Sequence, residues 1–555
     1  MPAKTVNEFS YESARSYLQT AVFVDDRIYE TGTGKVVSVT SLEVPSRRKS
    51  AFVGGDAATV STPSAETSGG EDPKGLFSAQ DIVASFAEEG IVCGLYQPEP
   101  TESLDDKSSA CKLCLGADIV IVDWDLVGQG TIGDRALDLI GALIKRSTED
   151  IPEQLRLVMI YTGETNLTLI LDRVLERLEM LLGAGVTPEK DESGDLALYT
   201  KNSRVIVRGK PGIANGESER VIPERELAHA TVEEYSKLAA GLLQGSVLRA
   251  LGEIRRNSRR ILTRFDSSLD SAFLTHRALS LPHDDASDHV LPLVMGEVLA
   301  VLEDRLPHPM FNSDVLNSWV DTQWKEPPEL PEGFPTGGDA KTVVKAIISK
   351  GQDMRETFSV SKNKAKDPAW IAGCLTKKGE GSSANEALSA LMCLRTHYDS
   401  VTRTLRLGTI LADSDGACWI CIQPECDCVR LDGERNFLFG EIFAVTGQSN
   451  SDAVNLVVPS DSTFRRFRFP GKVFNSRIEK FAPDSTSRTV KAVAVSGKWV
   501  FRPVGEKNRK QKRTYSWLGQ LKPDHAQRVA QVFAAELARV GVTESEWLRR
   551  MGTRP

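Results

Sequence analysis

Short apolar runs in the first 210 residues constrain the fold of this chain more than any other feature. They read TAVFV (20–24), IVCGLY (91–96), IVIV (119–122), LRLVMIY (155–161) and SRVIV (203–207). Runs rich in β-branched residues are typical of strands that are covered on both faces of a parallel sheet. Segments with helical apolar spacing lie between them, at 77–90, 134–146 and 166–182. This alternation predicts an α/β domain with a doubly wound, five-stranded parallel sheet.

Polar residues with possible chemical roles stand at the ends of four of these strands. In chain order they are Asp25 and Asp26, Asp123, Thr162, and Lys210. Because ligands of open parallel sheets bind at the carboxyl ends of the strands, we expect these side chains to lie at one edge. Carboxylates are the ligands that Mg²⁺ prefers, so the three aspartates are candidate metal ligands, with Asp125 as a fourth.

The same set of residue types is suited to phosphoryl transfer. A carboxylate at a metal can attack phosphorus and form an aspartyl phosphate. An amine and a hydroxyl at the same edge would stabilise the negative charge of the transferred group. Asp123 is therefore the candidate phosphoacceptor, with Thr162 and Lys210 as the assisting groups.

This ordered set resembles the receiver domain of two-component response regulators. The resemblance covers about residues 15–250 and implies a flavodoxin-like fold and a signalling function driven by phosphorylation. It also implies that Asp25 and Asp26 hold Mg²⁺, that Asp123 takes the phosphoryl group, and that Thr162 and Lys210 sense it. Two insertions, at 30–75 and 183–201, make this chain longer than a compact receiver.

Two other functions stay open for the same residues. The pattern DWDLV (123–127) also resembles haloacid-dehalogenase-like phosphatases, in which Asp123 would be the nucleophile and Asp125 a general acid. Those enzymes place this pattern on the first strand, whereas here the pair Asp25–Asp26 comes earlier in the chain. The second alternative is a pseudo-receiver that acts as an adaptor without taking phosphate. The sequence leaves undecided whether the protein is an enzyme.

The rest of the chain is predicted to contain three further parts. The receiver-like domain would span 1–230, followed by a helical connector at 231–320, a proline-rich linker at 321–340, and a C-terminal α+β output domain at 341–555. Apolar residues at helical spacing over 231–265 indicate a long amphipathic helix, which could form a homodimer. Short strands with turn residues between them over 403–504 predict a mainly-β barrel or sandwich, followed by terminal helices.

A cysteine-rich stretch is the notable motif of the second half. Cys418, Cys421, Cys426 and Cys428 have the spacing C-x2-C-x4-C-x-C. Thiolates suit zinc, but strand alternation would point Cys418 and Cys421 to opposite sides. The segment P-x-C-D (424–427) resembles a motif of bacterial "response receiver" proteins linked to anti-phage defence. That resemblance implies an ATP-binding, histidine-kinase-like partner, and a catalytic output domain around Cys426 and Asp427 stays an alternative.

Charge and hydropathy set limits on partners and location. The net charge of −8 argues against a chain that coats nucleic acid. Solvated strand and loop faces are the commoner explanation for FRRFRFPGK (464–472), which alternates aromatic and basic residues, and for the basic stretch 506–513; if the chain binds nucleic acid, we expect the contact at these two stretches. No apolar run reaches the ~18–20 residues of a membrane span, and no secretion signal precedes the first strand. We therefore expect a cytoplasmic protein with reduced thiols and no membrane partner.

Overall fold

A computed structural model describes most of the chain. The described residues are 3–28, 78–149, 154–182, 187–191, 194–200, 202–212, 220–280, 283–327, 329–335, 338–376, 380–398, 401–445, 456–460, 463–505, 513–538 and 544–552. The predicted insertion at 30–75 lies outside them. The chain divides into two compact units, Met1–Leu279 with Asp285–Trp319, and Ser280–Asp284 with Val320–Pro555. The four-part division predicted from the sequence stays a prediction.

The first unit alternates strands and helices. Its strands are β1 (Thr20–Val24), β2 (Val92–Tyr96), β3 (Ile119–Val122), β4 (Arg156–Thr162), β5 (Glu189–Lys190), β6 (Ala197–Tyr199) and β7 (Ser203–Gly209). Its helices are α1 (Val6–Tyr17), α2 (Ala79–Glu88), α3 (Ser109–Leu115), α4 (Asp134–Glu149), α5 (Leu167–Leu182), α6 (Leu227–Leu238), α7 (Leu242–Leu262), α8 (Asp270–Leu279), α9 (Val290–Arg305) and most of α10 (Ser313–Thr322).

The strands of this unit form one mixed sheet in the order β2-β1-β3-β4-β7-β6-β5. The first five in that order are parallel, and β6 and β5 extend the edge as an antiparallel pair. The sheet therefore has seven strands where the sequence predicted five. The two extra strands come from the insertion at 183–201, and at two and three residues they are too short to carry a strand pattern.

Both faces of the parallel strands are buried, as the apolar runs predict. Val120 and Val122 pack in a cluster with α3, α4 and α5, whereas Ile119 and Ile121 pack in a second cluster with α1, α2 and α6. Successive side chains of a strand point to opposite faces, so a strand covered on both faces needs apolar residues at every position. This double burial anchors the strand ends that carry the polar residues.

The long helix predicted over 231–265 is interrupted in the structure. Gly241 separates α6 from α7 with a φ of 136°, a conformation that glycine adopts readily. The helix start expected at Thr231 is also wrong, because α6 begins at Leu227 and the Thr231 hydroxyl donates to the carbonyl of Ala228. Two further glycines of α7, Gly245 and Gly252, allow close packing against α1.

The second unit contains helices followed by a β-rich region. Its helices are α11 (Ala340–Lys350), α12 (Lys362–Ala365), α13 (Pro368–Leu375), α14 (Glu380–Cys393), α15 (Pro523–Leu537) and α16 (Glu544–Gly552). Its strands are β8 (Thr409–Asp413), β9 (Cys418–Cys421), β10 (Arg435–Ala444), β11 (Leu456–Ser460), β12 (Thr463–Arg468), β13 (Ser476–Phe481), β14 (Val493–Val495), β15 (Lys498–Phe501) and β16 (Tyr515–Gln520).

These nine strands form an antiparallel half-barrel sheet in the order β11-β12-β10-β9-β8-β16-β15-β14, with β13 paired to β10. Two apolar clusters lie on its two faces. The mainly-β character predicted for this region is confirmed. Among the described residues, no helix is long and apolar enough to cross a membrane.

Candidate functional site

Four neighbouring strands place the polar residues at one edge of the parallel sheet. Backbone hydrogen bonds hold each residue one step beyond its strand: Asp25 N–H donates to Tyr96 O, Asp123 N–H to Val24 O, and Lys210 N–H to Thr162 O. The last of these is 2.7 Å long. The sheet ladder thus continues into the site, and the rigid core fixes where these residues stand.

Three carboxylates and one amine meet at this edge. One oxygen from each of Asp25, Asp26 and Asp123 lies within 4.8 Å of the other two. The amine of Lys210 donates to Asp25 Oδ2 and to Asp123 Oδ2, each at 2.8 Å. All three carboxylates are buried, with exposures of 0%, 8% and 3% in chain order. Residues 185 positions apart in the chain therefore touch.

The site holds more negative than positive charge. Burial raises the pKa of Asp123 to about 7, the neighbouring Asp25 and Asp26 add to this rise, and Lys210 opposes it. Burial also raises the pKa of Asp26, against the hydrogen bond from Val127 N–H. Burial disfavours the ammonium form of Lys210, but Asp123 and Asp25 raise its pKa above the ordinary value. The nearest positive groups are the Lys210 amine and the Arg27 guanidinium, whose Nε lies 3.9 Å from Asp26 Oδ1. Three carboxylates therefore face two cations, and Asp123, with a pKa of about 7, is partly protonated near neutral pH.

The donor set fits a hard divalent cation. Asp26 Oδ1 and Asp123 Oδ1 are buried and have no hydrogen-bond partner within the described structure. Arg27 Nε lies 3.9 Å from Asp26 Oδ1, beyond hydrogen-bond distance. Buried oxygens that accept no hydrogen bond are costly, and a cation would satisfy them. Carboxylate oxygens in this number suit Mg²⁺, which keeps several waters in its coordination shell.

Thr162 and Asp125, the other predicted site residues, make contacts outside the group of three carboxylates. Thr162 ends β4 between Asp123 and Lys210 in the strand order, is fully buried, and its hydroxyl accepts from Glu164 N–H at 3.1 Å. Asp125, the fourth candidate ligand, is outside the acidic group. Its carboxylate instead pairs with Arg27, Nη2 to Oδ2, at 3.4 Å.

Sequence reasoning missed three groups that shape the site. The backbone N–H of Arg27 donates to Asp25 Oδ1 at 2.8 Å, and that of Val127 donates to Asp26 Oδ2 at 3.0 Å. The amine of Lys210 also lies 5.7 Å from the centre of the Tyr161 ring. Backbone donors have no side-chain signal, but Tyr161 immediately precedes Thr162 and could have been identified from its strand position.

A buried ionic network occupies β7 next to the site. Arg204 is fully buried and pairs with Asp191, Asp195 and Glu234 at 2.8–3.2 Å. Arg208 pairs with Asp195 at 2.9 Å and with Glu234 at 2.8 Å. These contacts join β7 to α6 and to the segment that carries β5 and β6. The sequence contains a signal for this network, because two arginines that are four residues apart, Arg204 and Arg208, interrupt an otherwise apolar strand.

The cysteine-rich stretch does not bring four thiols together. Cys418 packs in the apolar cluster on one face of the second sheet, and Cys421 and Cys428 pack in the cluster on the other face. Cys426 is exposed. Among the described residues, the one group of three or more potential metal-binding side chains is the aspartate cluster. The prediction of opposite faces for Cys418 and Cys421 is therefore confirmed.

The aromatic residues of the first basic stretch are largely in the core. Phe467 and Phe469 are buried in the second unit, and Phe464 is half-buried against the same cluster. Arg466 pairs with Glu386 on α14 at 3.3 Å. Buried rings cannot stack on bases, so any nucleic-acid contact at 464–472 would depend on the arginines. Residues 506–512 of the other basic stretch lie outside the described part of the chain.

Comparison with known proteins assigns the N-terminal region. Residues 17–215 match the family model of the response receiver domain. Searches of curated proteins and of solved structures found no significant match. The matched segment contains Asp25, Asp26, Asp123, Thr162 and Lys210, the strand-end residues described above. The N-terminal region of this chain is therefore a response receiver domain.

Proposed function

We propose that this protein is a phosphorylation-dependent signalling protein in which Asp123 accepts the phosphoryl group. The observation that carries the proposal is the contact of Lys210 with both Asp25 and Asp123 inside a cluster of three buried carboxylates. Mg²⁺ held by Asp25, Asp26 and Asp123 would offset the charge of the phosphoryl oxygens. The strand order of the five parallel strands, 2-1-3-4-7, supports a flavodoxin-like core.

The chain's own residues account for the transfer. A carboxylate oxygen of Asp123 forms a bond to phosphorus while the bond between phosphorus and the donor's leaving atom breaks, and the leaving group keeps that electron pair. Lys210 then loses a charged acceptor at Asp123, because the acyl phosphate oxygen carries little charge. Its amine is placed to pair with a phosphoryl oxygen instead. Thr162 would supply a hydroxyl donor from the adjacent strand.

The phosphatase alternative depends on Asp125 as a proton donor. In the structure that carboxylate is paired with Arg27 and lies outside the acidic group. A general acid must contact the leaving group of the substrate, and here the carboxylate contacts Arg27 instead. This contact supports a phosphoacceptor over a phosphatase.

The proposal is tested with a small-molecule phosphodonor. The full chain is incubated with acetyl phosphate with and without Mg²⁺, and intact mass followed by peptide mapping locates any acid-labile phosphate. We expect one phosphoryl group at Asp123 only when Mg²⁺ is present, none in Asp123→Asn, and undiminished labelling in the matched control Asp125→Asn. Beryllofluoride, which mimics the phosphoryl group, should block the labelling.

Three results would contradict the proposal. Labelling of Asp123→Asn equal to that of the wild type would place the acceptor elsewhere. Steady hydrolysis of a phosphate ester that is lost in Asp125→Asn would support the phosphatase. Absence of any labelling, together with Mg²⁺ binding, would support the pseudo-receiver adaptor.

The proposal also includes the phosphodonor, the output module and the cellular compartment. The phosphodonor in the cell would be an ATP-binding, histidine-kinase-like partner, and the second unit would be the output module, in the setting of a bacterial anti-phage defence system. All nine cysteines are unpaired thiols, which supports a reducing compartment such as the cytoplasm.

A further inference from the structure

Arg27 is a cation on the solvent side of the aspartate cluster, and its guanidinium stands between two carboxylates. Its Nε lies 3.9 Å from Asp26 Oδ1, and its Nη2 lies 3.4 Å from Asp125 Oδ2. The first distance is too long for a hydrogen bond, and the second is long for one. Arg27 therefore acts on a carboxylate inside the cluster through its charge and is held by one outside the cluster through a weak contact.

Lys210, the other cation of the cluster, is held much more firmly. Its amine donates to Asp25 Oδ2 and to Asp123 Oδ2 at 2.8 Å each, and its side chain is 17% exposed. The side chain of Arg27 is 54% exposed and makes no ion pair as short as these. Exposed side chains change rotamer within nanoseconds. Of the two cations, Arg27 is thus the one that can move away from the cluster.

The backbone of Arg27 is fixed although its side chain is not. Its N–H donates to Asp25 Oδ1 at 2.8 Å, in the turn that follows β1. A displacement of the guanidinium can therefore leave the acidic pair Asp25–Asp26 in place.

The carboxylate oxygen that faces Arg27 is also one that is left for a metal. Asp26 Oδ1 and Asp123 Oδ1 are buried and accept no hydrogen bond within the described structure. The second oxygen of Asp26, Oδ2, already accepts from Val127 N–H at 3.0 Å. A metal bound to Asp26 and the guanidinium of Arg27 would therefore both approach Oδ1.

We propose that the Arg27 guanidinium competes with Mg²⁺ for Asp26 and that Asp125 draws it away when the metal binds. The inference rests on the proposed function, because it concerns the metal site of the phosphoacceptor. In the metal-free chain Arg27 offsets part of the charge of Asp26. A divalent cation on Asp26 repels it toward Asp125, whose carboxylate is 36% exposed and lies outside the cluster. The contacts of Arg27 thus set how much Mg²⁺ the site needs before Asp123 can accept phosphate.

The size of the effect follows from the distance between the two positive groups. Bonds from Mg²⁺ to oxygen are about 2.1 Å long, so a metal on Asp26 Oδ1 would lie no more than about 6 Å from Arg27 Nε as the side chain stands. At that separation, in water and at physiological salt, a double and a single charge repel enough to change a binding constant roughly three- to tenfold.

Calorimetric titration of the full metal-free chain with Mg²⁺ at pH 8 tests the competition. Arg27→Gln should bind Mg²⁺ roughly three- to tenfold more tightly than the wild type, because the competing charge is gone. Arg27→Lys keeps the charge and should bind as weakly as the wild type. Without metal, Arg27→Gln should also melt at a lower temperature than the wild type, and saturating Mg²⁺ should remove most of that difference.

The matched control is Arg260→Gln. Arg260 is 50% exposed and pairs with Asp304 at 3.1 Å, so the variant removes a similar arginine from a similar ion pair. It lies on α7, five residues beyond Arg255, which pairs with Asp118 directly before β3. Because Asp123 directly follows β3, Arg260 belongs to the opposite edge of the sheet, and its loss should leave Mg²⁺ affinity unchanged.

A double-mutant cycle tests the role of Asp125. Asp125→Asn leaves Arg27 without its outer partner and should weaken Mg²⁺ binding about two- to fourfold, a loss that saturating Mg²⁺ overcomes. In the Arg27→Gln background the same change should have no such effect, because Asp125 acts through Arg27. An equal loss in both backgrounds would show that Asp125 acts on the metal directly and would overturn this part of the proposal.

The competition fails if Arg27→Gln binds Mg²⁺ no more tightly than the wild type, or if the wild type binds no Mg²⁺. Labelling of Asp123 by acetyl phosphate separates this failure from that of the proposed function. Tighter Mg²⁺ binding by Arg27→Gln in a chain that takes no phosphate would keep the competition and reject the phosphoacceptor. Labelling whose Mg²⁺ requirement is the same in Arg27→Gln and the wild type would keep the phosphoacceptor and reject the competition.

Discussion

The affinity of the aspartate cluster for Mg²⁺ should rise about tenfold between pH 6 and pH 8. The perturbation is pH alone, and the titrating group is Asp123, whose pKa burial raises to about 7. Mg²⁺ binds the carboxylate and not the carboxylic acid, so proton and metal compete for this residue. With a pKa near 7, about nine tenths of Asp123 is protonated at pH 6 and about one tenth at pH 8. The deprotonated fraction of Asp123 therefore rises about tenfold between pH 6 and pH 8, and the apparent dissociation constant for Mg²⁺ should fall by the same factor.

The proton on Asp123 opposes metal binding, but in the metal-free protein it stabilises the folded state. The folded pKa of Asp123 lies above its ordinary value of 3.8, so the folded state binds this proton more tightly than the unfolded state. Its contribution to stability is complete below about pH 4 and is lost as pH rises through about 7. Mg²⁺ should therefore raise the melting temperature more at pH 8 than at pH 6.

Calorimetric titration with Mg²⁺ at pH 6, 7 and 8, at constant ionic strength, measures the dissociation constant, and thermal unfolding with and without Mg²⁺ measures the melting temperatures. Repeating the pH 6 titration in buffers of different ionisation enthalpy should give about 0.9 protons released per metal bound. The control is Asp123→Asn, which keeps Asp25 and Asp26 but has no titrating group at 123, and should bind weakly with a flat pH profile. Equal wild-type affinity at pH 6 and pH 8, or the same slope in Asp123→Asn, would refute the reasoning.

Three further changes test other parts of the structure. Glu234→Ala should lower the free energy of unfolding in urea by about 1–3 kcal/mol, because it removes one of the three carboxylate partners of the buried Arg204 and a partner of Arg208, whereas Glu234→Gln, which keeps an acceptor, should cost less. Gly133→Ala should destabilise by about 1–3 kcal/mol and weaken Mg²⁺ binding, because the new Cβ would overlap the ring of Trp124, next to Asp123, at a φ of 91°. A thiol reagent should modify Cys426 quickly in the folded chain without a chelator, since it is the one exposed cysteine; protection that a chelator relieves would instead indicate bound zinc.

The sequence was sufficient for the parts of the fold that depend on burial. The runs before Asp25 and Asp123 are apolar at nearly every position because both faces of these strands are covered, and that pattern is readable without coordinates. The strand before Lys210 has the same pattern at Val205–Val207, between Arg204 and Arg208. The parallel arrangement then follows from the intervening helices. The convergence of the polar residues is a consequence of topology, since strand ends of a parallel sheet share one edge.

The parts that the sequence could not supply depend on contacts between distant polar residues. The pair β5–β6 has strands of two and three residues, and although Ala197 and Leu198 of β6 are buried, so few residues make no readable strand pattern. The segment is also joined to β7 by ion pairs such as that of Asp195 with Arg208, which leave no hydrophobic pattern. The break at Gly241 was equally hidden, because the apolar spacing continues across it into α7. The exposure of α9 is the clearest case. Over residues 290–302, VLPLVMGEVLAVL, Glu297 is the only charged residue, which predicts burial, yet Val301 is the one buried residue of this helix.

The position of Lys210 at the end of β7 makes the buried ionic network part of any response to phosphate. Two residues before it, Arg208 pairs with Glu234 on α6, and Arg204 binds the same carboxylate from further along the strand. Displacing the end of β7 alone would separate charges that have no access to water, at a cost of several kcal/mol. Moving α6 together with β7 keeps those pairs intact and is the less costly path. A shift of Lys210 toward a phosphoryl group should therefore move α6 as a unit with the strand, and α6 leads through Gly241 directly into α7, the helix that supports α9.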